Sequence, residues 1–233
     1  GGNLVLIGEN GYQKYMNSLV EPLGVSFVNG VLVQPSENYS PDMVLSRPTP
    51  ESWELSYYFK GMAKWNSCAT MPGCMGLEYV TDKGFTVTPL LVPDSTGVWN
   101  ELETTNFIDD TVKLNPVVGE REQRYVTALA LSRKIGEKEQ KIVVLGDADC
   151  ISNIELFKRR EEIRAENYYI ILGSFHWLSD GEAPVDVRRP LPIDNDIFLG
   201  KEGAKITKVA FTWVIPGLIL LLALLVWIRR RSR

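Results

Sequence analysis

The sequence predicts an α/β protein whose open sheet contains mixed strands and is followed by one C-terminal transmembrane helix. Three observations predict it. A short apolar run near the N-terminus is followed by helical spacing and a second apolar run, which is a strand–helix–strand pattern. The apolar run Lys141–Leu145 leads directly into a glycine and two aspartates. Near the C-terminus, the segment Val209–Ile228 carries no charge over the length that a bilayer-spanning helix needs.

Composition and charge fit a folded domain and argue against nucleic acid as a partner. The chain has 233 residues, of which 45% are hydrophobic and 23% charged, as in ordinary globular proteins. Arg229, Arg230, Arg231 and Arg233 follow the apolar segment; the rest of the chain has 21 basic and 29 acidic residues. Phosphate binding needs clustered Lys and Arg, so an acidic body is a poor candidate for it. The single histidine argues against a histidine-rich metal site, and no cofactor is predicted.

The N-terminal part predicts the beginning of an α/β layer. Asn3–Gly8 is short and continuously apolar, which is typical of a buried parallel strand. Residues 13–23 carry apolar side chains at helical spacing, and a proline and a glycine end that helix. Val25–Val28 is a second predicted strand. Residues 35–50 contain four prolines and predict a loop.

The middle of the chain leaves alternatives open. Trp53–Trp65 is aromatic-rich and fits either a strand or a helix. Phe85–Val92 predicts a strand in which Pro89 indicates a sheet edge or a bulge. Residues 93–115 predict turns. Residues 123–134 fit a helix by spacing, and also fit a strand that forms a hairpin through Gly136 with Lys141–Leu145.

The turn Gly146-Asp147-Ala148-Asp149 lies where open α/β sheets bind ligands, beyond the carboxyl end of a strand. Its two carboxylates could hold Mg²⁺ or Ca²⁺, or hydrogen-bond a polyol. They could equally accept N–H groups of the turn and of a following helix, capped by Ser152 or Asn153 and running to about Arg164. We favour this structural role, in which replacing either aspartate by Asn lowers thermal stability. The other acidic pair, at residues 109–110, is not placed nearby by anything in the sequence.

Three cysteines are too few for a disulfide scaffold or a zinc framework. Cys68 and Cys74 are close in sequence, and we expect a disulfide between them in an oxidising compartment. The alternative for Cys74 is a nucleophile on the tight turn Pro72–Gly76. That role needs a base, and the only histidine, His176, precedes Trp177 in an aromatic run that predicts a packed helix end. Cys150 is predicted to be a small buried apolar residue.

The segment Val209–Ile228 predicts the membrane helix. Trp213 and Trp227 lie near its two ends, as interfacial aromatic residues do. Pro216 and Gly217 are tolerated in membrane helices. Four arginines follow the segment and three lysines precede it, which favours a cytoplasmic C-terminus. The predicted organisation is a body (1–178), a juxtamembrane linker (179–208), the transmembrane helix (209–228) and a basic tail (229–233).

Several segments, in order, carry a family resemblance: Gly1–Gly8, Leu23–Val25, Val87–Leu91, Val143–Asp149 with Ser152-Asn153, Trp177-Leu178, and the membrane helix with its arginine tail. Together they resemble the GldG-like family of auxiliary membrane proteins of ABC-2-type transporters, which includes proteins linked to bacterial gliding motility. The resemblance implies a periplasmic body related to flavodoxin-like, class I amidotransferase-like domains without their catalytic residues. It also implies a strand at Tyr125–Ser132, a closing helix at Asn167–Trp177, and an upstream part of the domain with a further membrane helix.

From these observations we expect a non-enzymatic accessory subunit of an ABC-type transporter in the bacterial inner membrane. Its body would be periplasmic, its C-terminus cytoplasmic, and its partners the permease and ATPase subunits and the lipid bilayer. The alternative is a module that binds an envelope saccharide through Asp147 and Asp149. An enzyme that uses Cys74 or the same carboxylates is the third hypothesis, and it requires nucleophile, base and acid within hydrogen-bond reach of one another.

Overall fold

A computed structural model describes residues 2–94, 96–108, 112–160, 162–184 and 200–231. The chain divides into two units, Gly1–Asp186 and Val187–Arg233. Residues 185–199, half of the predicted linker, lie outside the described residues, as do the acidic pair at 109–110 and the last two residues. The first unit is a mixed α/β body and the second contains an apolar helix, as the sequence predicts at this coarser level.

The body is built on a mixed sheet whose described strands have the order β1-β10-β9-β7-β4-β5. Their bounds are β1 Leu4–Ile7, β4 Met43–Pro48, β5 Ala69–Pro72, β7 Thr86–Pro93, β9 Ala128–Ile135 and β10 Lys138–Leu145. β1 and β10 run parallel, and the other neighbours run antiparallel. Two short pairs complete the described strands: β2 (Val25–Phe27) with β6 (Leu77–Tyr79), and β3 (Val31–Val33) with β8 (Trp99–Glu101).

The structure settles two predicted alternatives in the sheet. Residues 128–135 form a strand that pairs with β10 through a turn at Gly136, so the hairpin is confirmed and the helix is wrong. β7 lies between β9 and β4, and its register shifts between Pro89 and Leu91. Pro89 therefore marks a bulge inside the sheet, where its missing N–H is tolerated.

Two strand predictions need correction. β1 is parallel, as predicted, but in the described residues it pairs only with β10 and is therefore an edge. Leu4 and Val5 are consequently exposed rather than buried. The predicted loop 35–50 contains β4, a strand between β5 and β7. β4 alternates half-buried and buried positions, and its only proline is the last residue, where no ladder bond is lost.

The helices of the body are α1 Gln13–Val20, α2 Tyr57–Lys64, α3 Asn153–Phe157 and α4 Asn167–Leu178. α1 and α4 agree with the sequence, and the ambiguous segment at 53–65 is a helical turn followed by α2, whose N-cap is Ser56. Ser152 caps α3 by accepting the N–H of Glu155.

α3 ends at Phe157, well before the predicted Arg164, because the chain turns back. This turn brings the guanidinium of Arg160 to the Glu155 carboxylate, with N–O distances of 2.8–2.9 Å. Both side chains are 6% exposed. Thr70 donates its hydroxyl to Glu155, and Asn167 donates its amide to the carbonyl oxygens of Thr70 and Cys150 at 2.7 Å. The pair therefore ties α3 to β5 and α4.

Apolar side chains cover both faces of the sheet. On one face, Val143 and Leu145 pack with side chains of α2 and α4, including Phe59 and Ile170. On the other, Ile142 and Val144 pack with Val20 and Phe27 from α1 and β2. Because β10 contributes to both faces, it is buried throughout its apolar run, and the turn that follows it is held at a fixed position.

Candidate functional sites

The carboxyl edge of the parallel pair carries three carboxylates. β1 ends at Ile7 and is followed by Glu9, while β10 ends at Leu145 and is followed by Asp147 and Asp149. Parallel strands end at the same edge, so Glu9 joins the predicted aspartates, and the negative charges of Glu9 and Asp149 both act on Asp147. Glu9 is not among the predicted site residues, although its position directly after a predicted parallel strand is the signal that points to it.

Asp147 is buried, and its carboxyl accepts a hydrogen bond from the backbone of its own turn. It is 3% exposed, and its Oδ1 accepts the N–H of Asp149 at 2.8 Å. Within the described residues Oδ2 has no hydrogen-bond partner. Burial, opposed by the N–H of Asp149 and reinforced by the charges of Asp149 and Glu9, raises the pKa of Asp147 to about 8. The carboxyl is therefore mostly protonated at neutral pH, which makes it a poor ligand for a cation.

Asp149 and Glu9 are exposed. Burial and the neighbouring Asp149 also raise the pKa of Glu9. In the described part of the chain, no three His, Cys, Asp or Glu side chains are grouped so that they could hold a metal ion. The turn fixes the end of β10 and the start of the helical turns that follow it.

The predicted Cys68–Cys74 disulfide is not formed, because all three cysteines are free and buried. The two residues flank β5, and an extended strand advances roughly 3.3 Å per residue, so their Cα atoms are separated by far more than the ~7 Å limit for a disulfide. Burial raises the pKa of Cys68 to about 11 and that of Cys74 well above its usual value.

Cys74 does not have the surroundings of a nucleophile. Its sulfur lies against the Gly146 backbone and donates to the carbonyl of Met75 at 3.2 Å. His176 lies in the α2–α4 interface, 4.7 Å from Tyr57 between ring centroids. No contact joins His176 to Cys74 among the residues described, and burial disfavours the thiolate. Cys150 donates to the carbonyl of Asp147 at 3.1 Å and is fully buried, as predicted.

Three clefts surround residues 121–126, where the sequence predicts no binding site. Their volumes are about 870, 450 and 460 Å³, and Tyr125 lines all three. The Tyr125 hydroxyl lies 2.7 Å from the Arg121 carbonyl and 2.9 Å from Asn100 Oδ1, which fixes the segment. The largest cleft is polar and contains charges of both signs, among them Glu78 and Arg124.

The second unit contains α5 Gly200–Val209, a π-helical turn Ala210–Val214 and α6 Ile215–Arg231. Of the described helices, one is long and apolar enough to cross a membrane: Lys205–Arg231, with 27 residues, in which an 18-residue window has a mean hydropathy of 2.6 and is 0% buried. The apolar positions from Val209 to Ile228, with Trp213, Gly217 and Trp227, all lie within it.

Pro216 lies two residues after the end of the π-helical turn. Its ring removes one N–H and would clash with the carbonyl four residues earlier, which lies in that turn. The wider turn accommodates the proline without ending the helix. At the C-terminal end, the Arg231 guanidinium lies 5.2 Å from the centroid of the Trp227 ring. This end of the helix therefore carries both an indole and a cation, the side-chain types that favour a membrane–water interface.

Comparison of this chain with protein-family models, with curated proteins and with solved structures gave no match.

Proposed function

We propose that this chain is a membrane-anchored, non-enzymatic accessory subunit of an ABC-type transporter at the bacterial inner membrane. In this proposal the body is periplasmic and contacts the permease or the exported substrate, and the short basic tail is cytoplasmic. The flavodoxin-like relationship of the body belongs to the same proposal. It is supported by the parallel pair β1–β10 and by the Gly-Asp turn at its carboxyl edge.

The observation that carries the proposal is the Lys205–Arg231 helix. Burying its apolar side chains from water is strongly favourable, and no described part of the protein does so. A bilayer would supply that environment over roughly 30 Å. The order of sequence segments that resemble the GldG-like family supplies the transporter class.

The chemistry of the body supports an adaptor over an enzyme. The Cys74 thiol and the Asp147 carboxyl are both buried, and burial raises both pKa values, so neither group offers a charged nucleophile or base at neutral pH. Their rigid surroundings instead stabilise the sheet edge.

The proposal is tested by recovery of the complex. The full chain, carrying a C-terminal affinity tag, is expressed in its own host, solubilised in mild detergent and purified. The expected result is recovery of an ABC permease and its ATPase in fixed ratio. The matched control replaces residues 209–228 by an unrelated apolar span, which keeps the anchor and changes its surface. If the tagged chain is purified from the solubilised membranes without transporter subunits, the proposal is contradicted.

The second hypothesis, an envelope saccharide-binding module, finds more support in the cleft at residues 121–126 than at the predicted aspartates. Asp147 is buried, whereas the 870 Å³ cleft offers the half-exposed ring of Tyr79 beside Glu78, Gln123 and Arg124. An aromatic face with amide and charged groups is a common setting for a sugar. Envelope glycan fragments added to the full chain should then perturb the amide signals of residues 78–83 and 121–126, and unchanged signals would exclude this hypothesis.

A further inference from the structure

We propose that the outer face of α2, α3 and α4 rests on the headgroups of an anionic lipid bilayer. This face, called the aromatic–cationic face below, carries the exposed aromatic side chains Tyr57, Trp65, Phe157, Tyr168 and Phe175. The inference rests on the proposed anchoring by the Lys205–Arg231 helix, and adds a second, peripheral contact made by the body.

The three helices that carry the aromatic–cationic face are packed together. α4 contacts both α2 and α3. The Trp65 and Tyr169 ring centroids are 5.6 Å apart, and the Arg164 guanidinium lies 5.1 Å from the Trp65 centroid. Tyr57 packs against His176, the neighbour of Phe175.

α4 has no polar outer stripe. Its sequence from Asn167 to Leu178 is apolar on every side, yet only the inner side packs on the sheet and α2. Tyr168 and Phe175 point outward and are 50% and 53% exposed. A helix that is apolar all round is normally covered on all sides, so a contact on the outer side is expected.

Charge and side-chain type identify what covers this face. The body as a whole is acidic, but exposed cations lie on α2 and in the segment between α3 and α4: Lys60, Lys64, Lys158, Arg159 and Arg164. The described acids next to these cations are Glu51 and Glu54 before α2, and Glu162 and Glu166 before α4; Glu166 is paired with Arg164 at 3.1 Å. Tyr and Trp favour the boundary between water and lipid, and basic residues are attracted to anionic headgroups.

The covalent connection keeps the body near a bilayer. α4 ends at Leu178, and α5, which begins at Gly200, continues without a gap into the apolar helix, so residues 179–199 are the tether. Even fully extended, each of these residues adds at most roughly 3.6 Å. Tethering at this range gives a high effective concentration of lipid headgroups, so a contact that is weak for a free domain is populated.

The test places the full chain in lipid nanodiscs and measures spin-label accessibility. Labels are attached at Phe157→Cys and Phe175→Cys, with Glu137→Cys in the exposed β9–β10 turn as the matched control. The native thiols are at most 2% exposed and do not compete. With anionic lipid, the collision rate with a water-soluble nickel chelate should fall at least threefold at positions 157 and 175 and stay unchanged at position 137. Replacing Lys158 and Arg159 by Glu should weaken the contact roughly fivefold or more for each residue, and high salt should act in the same direction.

Equal accessibility of all three labels in anionic discs would overturn the inference. Protection that persists in detergent without anionic lipid and grows with protein concentration would also overturn it, by showing that a second protein surface covers the face. Co-migration of the chain with the nanodiscs is measured separately. A chain that does not co-migrate would refute the membrane anchor. A chain that co-migrates but shows no protection of the labels would refute only the contact of the aromatic–cationic face.

Discussion

Replacing Asp147 by Asn removes ionisation from the most perturbed carboxyl described in the body. The amide has the shape of the protonated acid, and its oxygen can accept the N–H of Asp149 as Asp147 Oδ1 does at 2.8 Å. The variant therefore preserves the turn while losing the charge. The sequence alone predicted the opposite effect, a loss of stability, because it could not show that the carboxyl is 3% exposed.

The pH dependence follows from the raised pKa. Asp147 titrates near 8 in the folded protein and near 3.8 when unfolded. A raised folded pKa means that the unfolded state releases its proton first, so the stabilising contribution is complete below pH 3.8 and is lost as pH rises through 8. The slope in between is about 1.36 kcal/mol per pH unit, so wild type should lose on the order of 3 kcal/mol between pH 5 and pH 7.5 through this group.

The assay is urea unfolding of the full chain in mild detergent, followed by near-ultraviolet circular dichroism from pH 5 to pH 8.5. Subtracting the wild-type free energy of unfolding from that of Asp147→Asn cancels the titrating groups that do not interact with Asp147. The difference should grow by roughly 3 kcal/mol in favour of the variant between pH 5 and pH 7.5. A flat difference, or one that favours wild type increasingly as pH rises, would refute the assignment of a buried, protonated Asp147.

Three further predictions concern other parts of the body. Glu155→Gln leaves the buried guanidinium of Arg160 unpaired and should cost roughly 3–5 kcal/mol, whereas Arg164→Gln at an exposed pair should cost less than about 1 kcal/mol; similar costs for both would contradict the burial of the network. Gly146→Ala would force a Cβ against the Met75 carbonyl and should lower the melting temperature. Gly61→Ala in α2 is the control, because its Cβ has room, and it should raise the melting temperature. An unchanged melting temperature for Gly146→Ala would contradict the close packing of Gly146 against Met75. Non-reducing alkylation should find three free thiols that react only after denaturation, and a peptide linking Cys68 to Cys74 would contradict the extended β5.

Much of the fold could be predicted because its signals are local. The apolar run of β10, the hairpin at Gly136 and the bulge at Pro89 depend on residues next to one another in sequence. The membrane-length helix depends on composition alone. β4 was missed because composition suggested a loop: three of the four prolines in 35–50 lie outside the strand, and the fourth, Pro48, is its last residue. Pairing with β5 and β7 gives the segment its place in the sheet.

The candidate sites depended on contacts between distant segments and could be predicted only in part. The turn at Asp147 was found because it follows a strong strand, but its burial depends on Cys74 and Met75, which cross the end of β10 from another part of the chain. Glu9 joins it only because β1 pairs with β10 over a long sequence separation. The length of α3 was overestimated because its charge run suggested a solvated helix face, whereas Arg160 is drawn inward by Glu155.

The most direct test of the central claim, a periplasmic body held by one membrane-spanning helix, is paired cysteine labelling in intact cells. Glu137→Cys reports on the body and Ser232→Cys on the tail, and the native thiols are buried. An impermeant thiol reagent added to intact cells should label position 137 and should label position 232 only after the membrane is opened. Labelling of position 232 in intact cells, or of neither position until lysis, would contradict the account.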